Sequence, residues 1–470
     1  MKKLLFISLA AILALSVGLV GCGGEGEGET APDFINILAV RSLSGALKIF
    51  EDTAMGPIYK YWRHVVNDVD GGIYVPAFNE TIKVFIDVKD DTSDMTTFTT
   101  LLNTNLATGD YPFVIGPCAT PFLEAAGPIC SLYGSVLVGA EGGATALAEE
   151  MWKYPYMFSN LNFANWNQAH ELCDLMDQWA ATEVDGDVDV YIMYLNDQHG
   201  YEYRDSFVAD KEASHNATIN ITKMVGMDPF TQDVDTQVDE ATSLGADALC
   251  IFAYPPTPMA VVGYAWVTSQ NFDAVVTGPA ACYEGFYDTA ATPNPGFGAV
   301  AIGVSGFGAW NEYSSTALHD FAAGIIAYSS RVTMDWWGGA FYYAGLDMLG
   351  KAIAAASNYT AAGVRSVMAS EKLTTILGET YYTTYTGTWP IGTSGGLLAI
   401  AAHPGEVGQW QHVTAANGWL PDGATGTNRT KPAGIAGNAT EWAIFEVISL
   451  DHPTADWVYP KPNWPAPPPG

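Results

Sequence analysis

Short apolar runs alternate with amphipathic stretches, first over one half of this chain and then over the next. The runs Ile35 to Val40, Ile82 to Val88, Phe113 to Gly116 and Ser135 to Gly139 are rich in β-branched and aliphatic residues and predict strands. Between them, Pro57 to Val66 and Met95 to Leu106 carry helical spacing. Strands that are apolar on both faces need helices on both faces, so this order predicts a mostly parallel sheet with right-handed crossovers. The pattern restarts with a helix at Trp166 to Ala181. Strands at Val188 to Leu195, Ile219 to Lys223, Ala248 to Tyr254 and Ala274 to Thr277 then alternate with helices at Tyr201 to Ala213, Val234 to Leu244 and Met259 to Ser269. Two successive halves of similar size predict an α/β fold of two lobes. An apolar run at Ala299 to Val304 and a helix at Trp337 to Ala356 follow, and Tyr459 to Gly470 is a Pro-rich tail rather than a domain.

Composition narrows the function. The 470 residues are 49% apolar, enough for sizeable cores in two or three domains at about 150 residues each. A formal charge of -32 arises from 19 Lys plus Arg against 51 Asp plus Glu. Such a surface repels nucleic acid and anionic headgroups and excludes both as partners. Lys2 and Lys3 precede an apolar run from Leu4 to Val20 that ends in Leu19-Val20-Gly21-Cys22. This is the pattern of a secretory signal, and the cysteine makes it resemble a bacterial lipobox. A leader at 1–21, a lipid on Cys22 and a flexible tether at 22–33 are expected, since Gly23 to Thr30 alternates Gly and Glu. A transmembrane anchor is the alternative, though the run is at the short limit of the about 20 residues that a span needs. Among the other cysteines, Cys118 and Cys130 bracket a short helical stretch and leave a disulfide open, while Cys173 and Cys250 read as buried. No CxxC or His-rich spacing points to zinc or haem, so neither metal nor cofactor is expected. Six Asn-x-Thr sequons start at Asn79, Asn216, Asn220, Asn358, Asn428 and Asn438. They mark either a Thr-rich surface or glycosylation sites.

Four passages stand in a recognisable order: Ser42-Leu43-Ser44-Gly45, Asp87 to Asp94, Val114-Ile115-Gly116-Pro117 with Thr120, and Asn196-Asp197-Gln198-His199-Gly200. Together they resemble the type I periplasmic binding protein family, in the leucine/isoleucine/valine-binding branch that serves ABC importers. Gly408-Gln409-Trp410-Gln411 sits where that family has a similar late strand, and the resemblance covers Phe34 to His412. It implies a two-lobed type I periplasmic-binding-protein fold with a hinge. Lobe 1 would comprise 34–157 and 304–394, lobe 2 would comprise 158–303 and 395–457, and 458–470 would be the tail. A small-molecule ligand held between the lobes and an ABC permease as partner are also implied. The protein would be exported and would touch the outer face of the cytoplasmic membrane only through its lipid. A ligand sensor of the same fold is the alternative. An exported enzyme is disfavoured, because the chain has no His-Glu-x-x-His or P-loop.

In open α/β sheets, ligands sit beyond the carboxyl ends of strands, where helix N-termini offer unpaired N–H groups. Ser42, Ser44, Cys118, Ala119, Thr120, Gly142 and Gly143 fall at such places in the first half. His199, Tyr254, Ala280, Tyr283 and Glu284 do so in the second. Structural roles compete: Ser and Gly build turns and caps, a loop histidine serves as a cap, and Tyr254 packs between lobes. The acidic run Asp90 to Asp94 lacks EF-hand spacing and predicts a helix start. The resemblance implies that relatives binding amino acids carry Ser or Thr where Gly142-Gly143 stand, and an acid near Ala280. Here Glu284 is the available substitute. Tyr283, Phe286, Tyr287 and Trp310 extend the expected ligands from amino acids to aromatic or aliphatic carboxylic acids, amides and small peptides.

Overall fold

A computed structural model describes residues 30–117, 119–139, 153–159, 164–182, 186–229, 231–254, 256–278, 300–310, 314–329, 338–385, 396–401, 406–414, 441–448, 455–461 and 464. The first half runs through β1 (Ile35–Arg41), helical stretch α1, β2 (Ile73–Val75), β3 (Glu80–Ile82), β4 (Val84–Asp90), α2 (Met95–Leu106), β5 (Phe113–Ile115), α3 (Thr120–Tyr133), β6 (Val136–Gly139) and β7 (Met157–Ser159). Stretch α1 joins Lys48–Phe50, a π turn Glu51–Met55, Gly56–His64 and a second π turn Val65–Val69. The second half runs through α4 (Ala164–Ala180), β8 (Val188–Leu195), α5 (Gln198–Ser214), β9 (Ile219–Met227), α6 (Asp235–Ser243), β10 (Ala248–Phe252), α7 (Thr257–Val267), β11 (Ala274–Thr277) and β12 (Val304–Ala309). After these come α8 (Thr316–Ser329), α9 (Gly339–Ala355), α10 (Ala361–Ser370), a hairpin of β13 (Leu373–Thr375) and β14 (Gly378–Thr380), and β15 (Tyr382–Tyr385), β16 (Gly396–Ala401), β17 (Glu406–Thr414) and β18 (Glu441–Val447).

Local chemistry explains several of these boundaries. Asp94 caps α2 by accepting the Thr97 N–H at 2.7 Å, and the helix buries Phe98, Leu102 and Leu106 at four-residue intervals. Asp197 caps α5 through the Gly200 N–H at 2.9 Å. Helix α3 ends at Gly134 in the left-handed conformation (φ 70), which glycine adopts without steric penalty. Strands β5, β6, β10 and β11 are buried along their whole length, as parallel strands between two helical layers must be. Each buried Leu, Ile, Val or Phe there contributes about 1.5–3 kcal/mol.

Two seven-stranded sheets result, each the centre of a lobe. The first has the order β15-β16-β7-β6-β5-β1-β4 and the second β18-β17-β12-β11-β10-β8-β9. All pairs are parallel except β15 with β16, β12 with β17, and β17 with β18. The chain passes between the sheets three times, after β7, after β12 and after β16. These crossings move three expected boundaries. Phe158 and Ser159 pair with Val138 and Gly139 in the first sheet, so the first boundary follows Ser159 rather than residue 157. Strand β12 belongs to the second sheet, with Val304 opposite Val275, where 304 was expected to begin the return to lobe 1. Gly396–Ala401 belongs to the first sheet, with Ala399 opposite Phe158, although 395 onward was expected in lobe 2. A short apolar strand carries no mark of which sheet edge it joins, because its period is the same in both.

The start of the Pro-rich tail is held in place by side chains of the second lobe. Gln409, fully buried, accepts the Val458 N–H at 3.0 Å and donates to the Val458 carbonyl at 2.9 Å and the Gly303 carbonyl at 3.0 Å. Gln411 donates to the Asp456 carbonyl at 2.7 Å. Trp457 stands edge-on to Trp179 of α4 with centroids 5.8 Å apart. Lys461 is buried, and burial pushes its ammonium down to about 7. The described part of the segment is therefore packed on the second lobe. Cys130 is a buried free thiol, as are Cys173 and Cys250, while Cys118 lies outside the described residues. Among the described residues, no helix is long and apolar enough to cross a membrane.

Candidate functional site

Each sheet reverses its strand order at one place. In the first, β1 lies between β4 and β5, so the loops after β1 and β5 diverge; in the second, the loops after β8 and β10 diverge. Such a switch point leaves a crevice at the carboxyl ends of the strands. Ser42 and Ser44 follow β1, Ala119 and Thr120 follow β5, His199 follows β8, and Tyr254 follows β10. The described residues singled out from the sequence thus flank the two crevices.

On the first lobe, the serines are held within their own loop. Ser42 Oγ donates to Asp91 Oδ1 at 2.7 Å, and Ser44 Oγ donates to Asp90 Oδ2 at 2.7 Å. Asp90 Oδ1 also accepts the backbone N–H groups of Leu43, Ser44 and Thr92. Burial pushes the Asp90 carboxyl upward, but these hydrogen bonds outweigh it and hold the group below the usual range. Asp91 is fully buried, and desolvation raises its carboxyl despite Ser42, Ser93 and Arg41. The serines therefore build the turn between β1 and α1 and join it to the end of β4. Across the switch point, α3 opens with Ala119 at φ 67 and ψ 149, a strained conformation for alanine, and without a side-chain cap. Thr120 is buried at the first position of that helix, and Pro121 beside it has no N–H to offer. The opening turn of α3 is suited to an anion through its backbone donors.

Beneath this crevice lies a group the sequence reading missed. Arg41, at the end of β1, is fully buried and donates from Nε to Glu51 Oε2 at 2.8 Å and from Nη1 to the Gly116 carbonyl. Tyr59 Oη donates to the other Glu51 oxygen at 2.8 Å, and the rings of Tyr59 and Tyr342 lie 5.9 Å from the guanidinium carbon. Arg41 thus ties together the ends of β1 and β5, the two strands of the switch point. The available signal was a lone arginine ending an apolar strand in a base-poor chain.

On the second lobe, His199 is buried at the first turn of α5, 4.7 Å from the Tyr203 ring and 5.5 Å from the Tyr254 ring. Burial pushes its imidazole below the ordinary value of 6.5, against the Asp197 charge and a backbone hydrogen bond with Gly278. It is therefore neutral near pH 7, and its Nε2 is buried with no hydrogen-bond partner. Tyr254 donates its hydroxyl to Asp197 Oδ2, the carboxylate that caps α5. Burial, then Asp197, pushes the Tyr254 phenol well up, so it stays a donor. Phe50 of α1 meets Tyr254 edge-on, with centroids 6.3 Å apart, which brings an aromatic group from each lobe together. Helix α3 of the first lobe also approaches α5 of the second. Of the remaining candidates, Cys22, Cys118, Gly142, Gly143, Ala280, Tyr283 and Glu284 lie outside the described residues. A depression of about 350 Å³ between α6 and α7, lined by Asp235, Tyr264 and Trp266 among others, contains none of the candidate residues.

Comparison with known proteins agrees with this arrangement. No curated protein matches the chain. A solute binding protein of an ABC transporter from Rhodopseudomonas palustris BisB5, in complex with 3,4-dihydroxybenzoic acid, superposes with a TM-score of 0.63 at 12% identity, covering 89% of this chain and 99% of that one. The leucine-binding protein LivK from Thermotoga maritima MSB8 gives 0.61 at 12% identity, covering 80% and 95%. The branched-chain amino acid binding protein LivJ from Streptococcus pneumoniae, in complex with isoleucine, gives 0.62 at 14% identity, covering 80% and 96%. At these identities the likeness is one of fold. The family model described as "Periplasmic binding protein" matches residues 60–393, well over half of the 470. By that match, and with two parallel sheets each carrying a switch point, this chain belongs to the periplasmic binding protein family.

Proposed function

We propose that the chain is an exported solute receptor of an ABC importer, tethered by a lipid on Cys22, which closes its two lobes on a small carboxylate-bearing ligand. The observation that carries this reading is the contribution of unlike chemistry from the two crevices. The first lobe offers the uncapped start of α3, which suits a carboxylate. The second offers neutral His199, whose Nε2 lacks a partner, and the wall of Tyr254. A ligand with a carboxylate at one end, a polar hydrogen or acceptor at the other and an apolar body meets both, and Phe50 and Tyr254 favour a flat or branched body. Aromatic acids, aliphatic acids, amino acids and amides meet that description. Capture is hinge closure about the three crossings, driven by the ligand's greater affinity for the closed state. The lipid keeps the receptor near its permease and raises its effective concentration there.

Calorimetry of the purified chain tests the proposal. The panel comprises benzoate, mono- and dihydroxybenzoates, leucine, isoleucine, valine, phenylalanine, benzamide and short aliphatic acids. One class should bind with 1:1 stoichiometry and a dissociation constant in the micromolar range or below. Silence across the panel would reject the reading. Mass measurement of membrane-extracted protein tests the anchor: a diacylglyceryl adduct on Cys22 is expected, and an unmodified cysteine would remove it.

A further inference from the structure

The second lobe holds a cluster that neither the fold nor the solute crevice requires. Helix α4 carries His170, Asp174 and Asp177 on one side, and α5 ends with Asp210 and His215 facing them. One donor atom each from His170, Asp174 and His215 lies within 4.8 Å of the others. His215 Nε2 is 3.5 Å from Asp174 Oδ1 and 3.3 Å from Asp210 Oδ2. His170 Nε2 is 3.6 Å from Asp174 Oδ2, and its Nδ1 is 3.2 Å from Asp210 Oδ1. Each pair taken singly is spaced as two ligands of one ion with bonds of about 2.0–2.1 Å, and His170 can lend that ion one of its two nitrogens.

The second shell is in place as well. Asp177 Oδ2 lies 2.6 Å from His215 Nδ1, and the Thr218 hydroxyl donates to the other Asp177 oxygen. That contact puts the His215 proton on Nδ1 and leaves the Nε2 lone pair facing two carboxylates, the orientation that an outer carboxylate gives a metal-bound histidine. The His215 side chain is only 5% exposed, and its Nε2 is buried without a hydrogen-bond partner. Asp210 is fully buried, and among the described residues no Lys or Arg pairs with Asp174, Asp177 or Asp210. An acceptor aimed at two anions, with no Lys or Arg at hand, calls for a cation between them.

We propose that His170, Asp174 and His215, with Asp210 as a fourth ligand, bind a divalent transition-metal ion of the zinc class and clip the outer ends of α4 and α5 together. Imidazole nitrogens with a few carboxylate oxygens favour such an ion over calcium or magnesium. His215 lies 16 residues beyond His199, about 24 Å along α5 by helical rise, so the site is separate from the solute crevice and independent of the function proposed for it. No sequence motif announces it, because the ligands come from two helices and from the turn that ends the second.

The test uses the full chain without an affinity tag, stripped with a chelator and titrated with zinc chloride by calorimetry and with cobalt chloride by visible absorption. One equivalent of zinc with micromolar or tighter affinity is expected, together with an intense tetrahedral cobalt band and a zinc-dependent rise in the thermal midpoint. His170→Ala, at a half-exposed side chain, should keep the fold, weaken zinc by 100-fold or more and abolish the cobalt band. Asp177→Asn should weaken zinc by about 10–100-fold, the usual effect of losing an outer-shell partner. Failure of the wild-type chain to take up zinc or cobalt would overturn the proposal. So would uptake that His170→Ala leaves unchanged.

Discussion

Arg41 and Glu51 form a buried ion pair, and the consequence of disturbing it depends on how many partners are removed. Arg41→Met leaves Glu51 charged and desolvated, so urea unfolding should show a loss of about 3–5 kcal/mol. The double change Arg41→Met with Glu51→Met removes both charges and should recover at least half of that loss; equal losses in the single and double variants would contradict the account. His199 gives a pH signature of opposite character. Its folded-state value lies below 6.5, so the unfolded chain binds more protons in the window just under that value. Stability from this group is complete above about pH 6.5 and falls as the pH drops through that window. His199→Asn should lack this component, which thermal midpoints from pH 8 to pH 5 for the two proteins would show as a shallower acid decline in the variant. If His199 also touches the ligand, the same substitution weakens affinity at least tenfold at pH 8, where protonation plays no part.

At the scale of single elements, close backbone approach sets where α5 begins. A Cβ on Gly200 would stand 2.2 Å from the Leu195 carbonyl oxygen and 2.5 Å from its nitrogen, and neither backbone atom can move freely. Gly200→Ala should cost about 1–3 kcal/mol and shift the start of α5 with His199 on it, which under the role proposed for His199 weakens ligand binding as well. An unchanged urea midpoint would refute the tight approach of α5 to β8. Gln409 makes a similar test for the C-terminal segment. Gln409→Leu leaves the Gly303 carbonyl and the Val458 backbone without their side-chain partner, and limited proteolysis should then remove the segment from 455 onward faster than in the wild type. How much of this was legible in the sequence follows from the same elements. Met95 to Leu106, Val188 to Leu195 and Ala274 to Thr277 were readable to the residue, because caps and apolar periods are local properties. Partners were not: β12 and β16 are short apolar runs whose sheet is decided by distant strands. The two crevices were foreseen as strand-end loops, whereas Arg41 was not, since its role depends on Glu51 and Gly116 being brought to it by folding.

For the whole molecule, two lobes joined by three crossings are the frame on which the proposed closure would act. Small-angle scattering with saturating ligand should give a smaller radius of gyration than without it, and the Phe50→Ala variant should close less completely, since it loses the edge-on contact with Tyr254. Identical scattering in both states would argue against hinge closure. Those crossings bear on biogenesis too. Strand β7 waits for β16, some 240 residues later in the chain, before that side of the first sheet is paired, and β12 waits likewise for β17 across about 100 residues. Neither lobe can complete its sheet as the N-terminal half emerges, because each takes strands from beyond residue 380. Delay of that kind suits the export proposed above, in which the chain would be threaded through a translocation pore before it becomes compact.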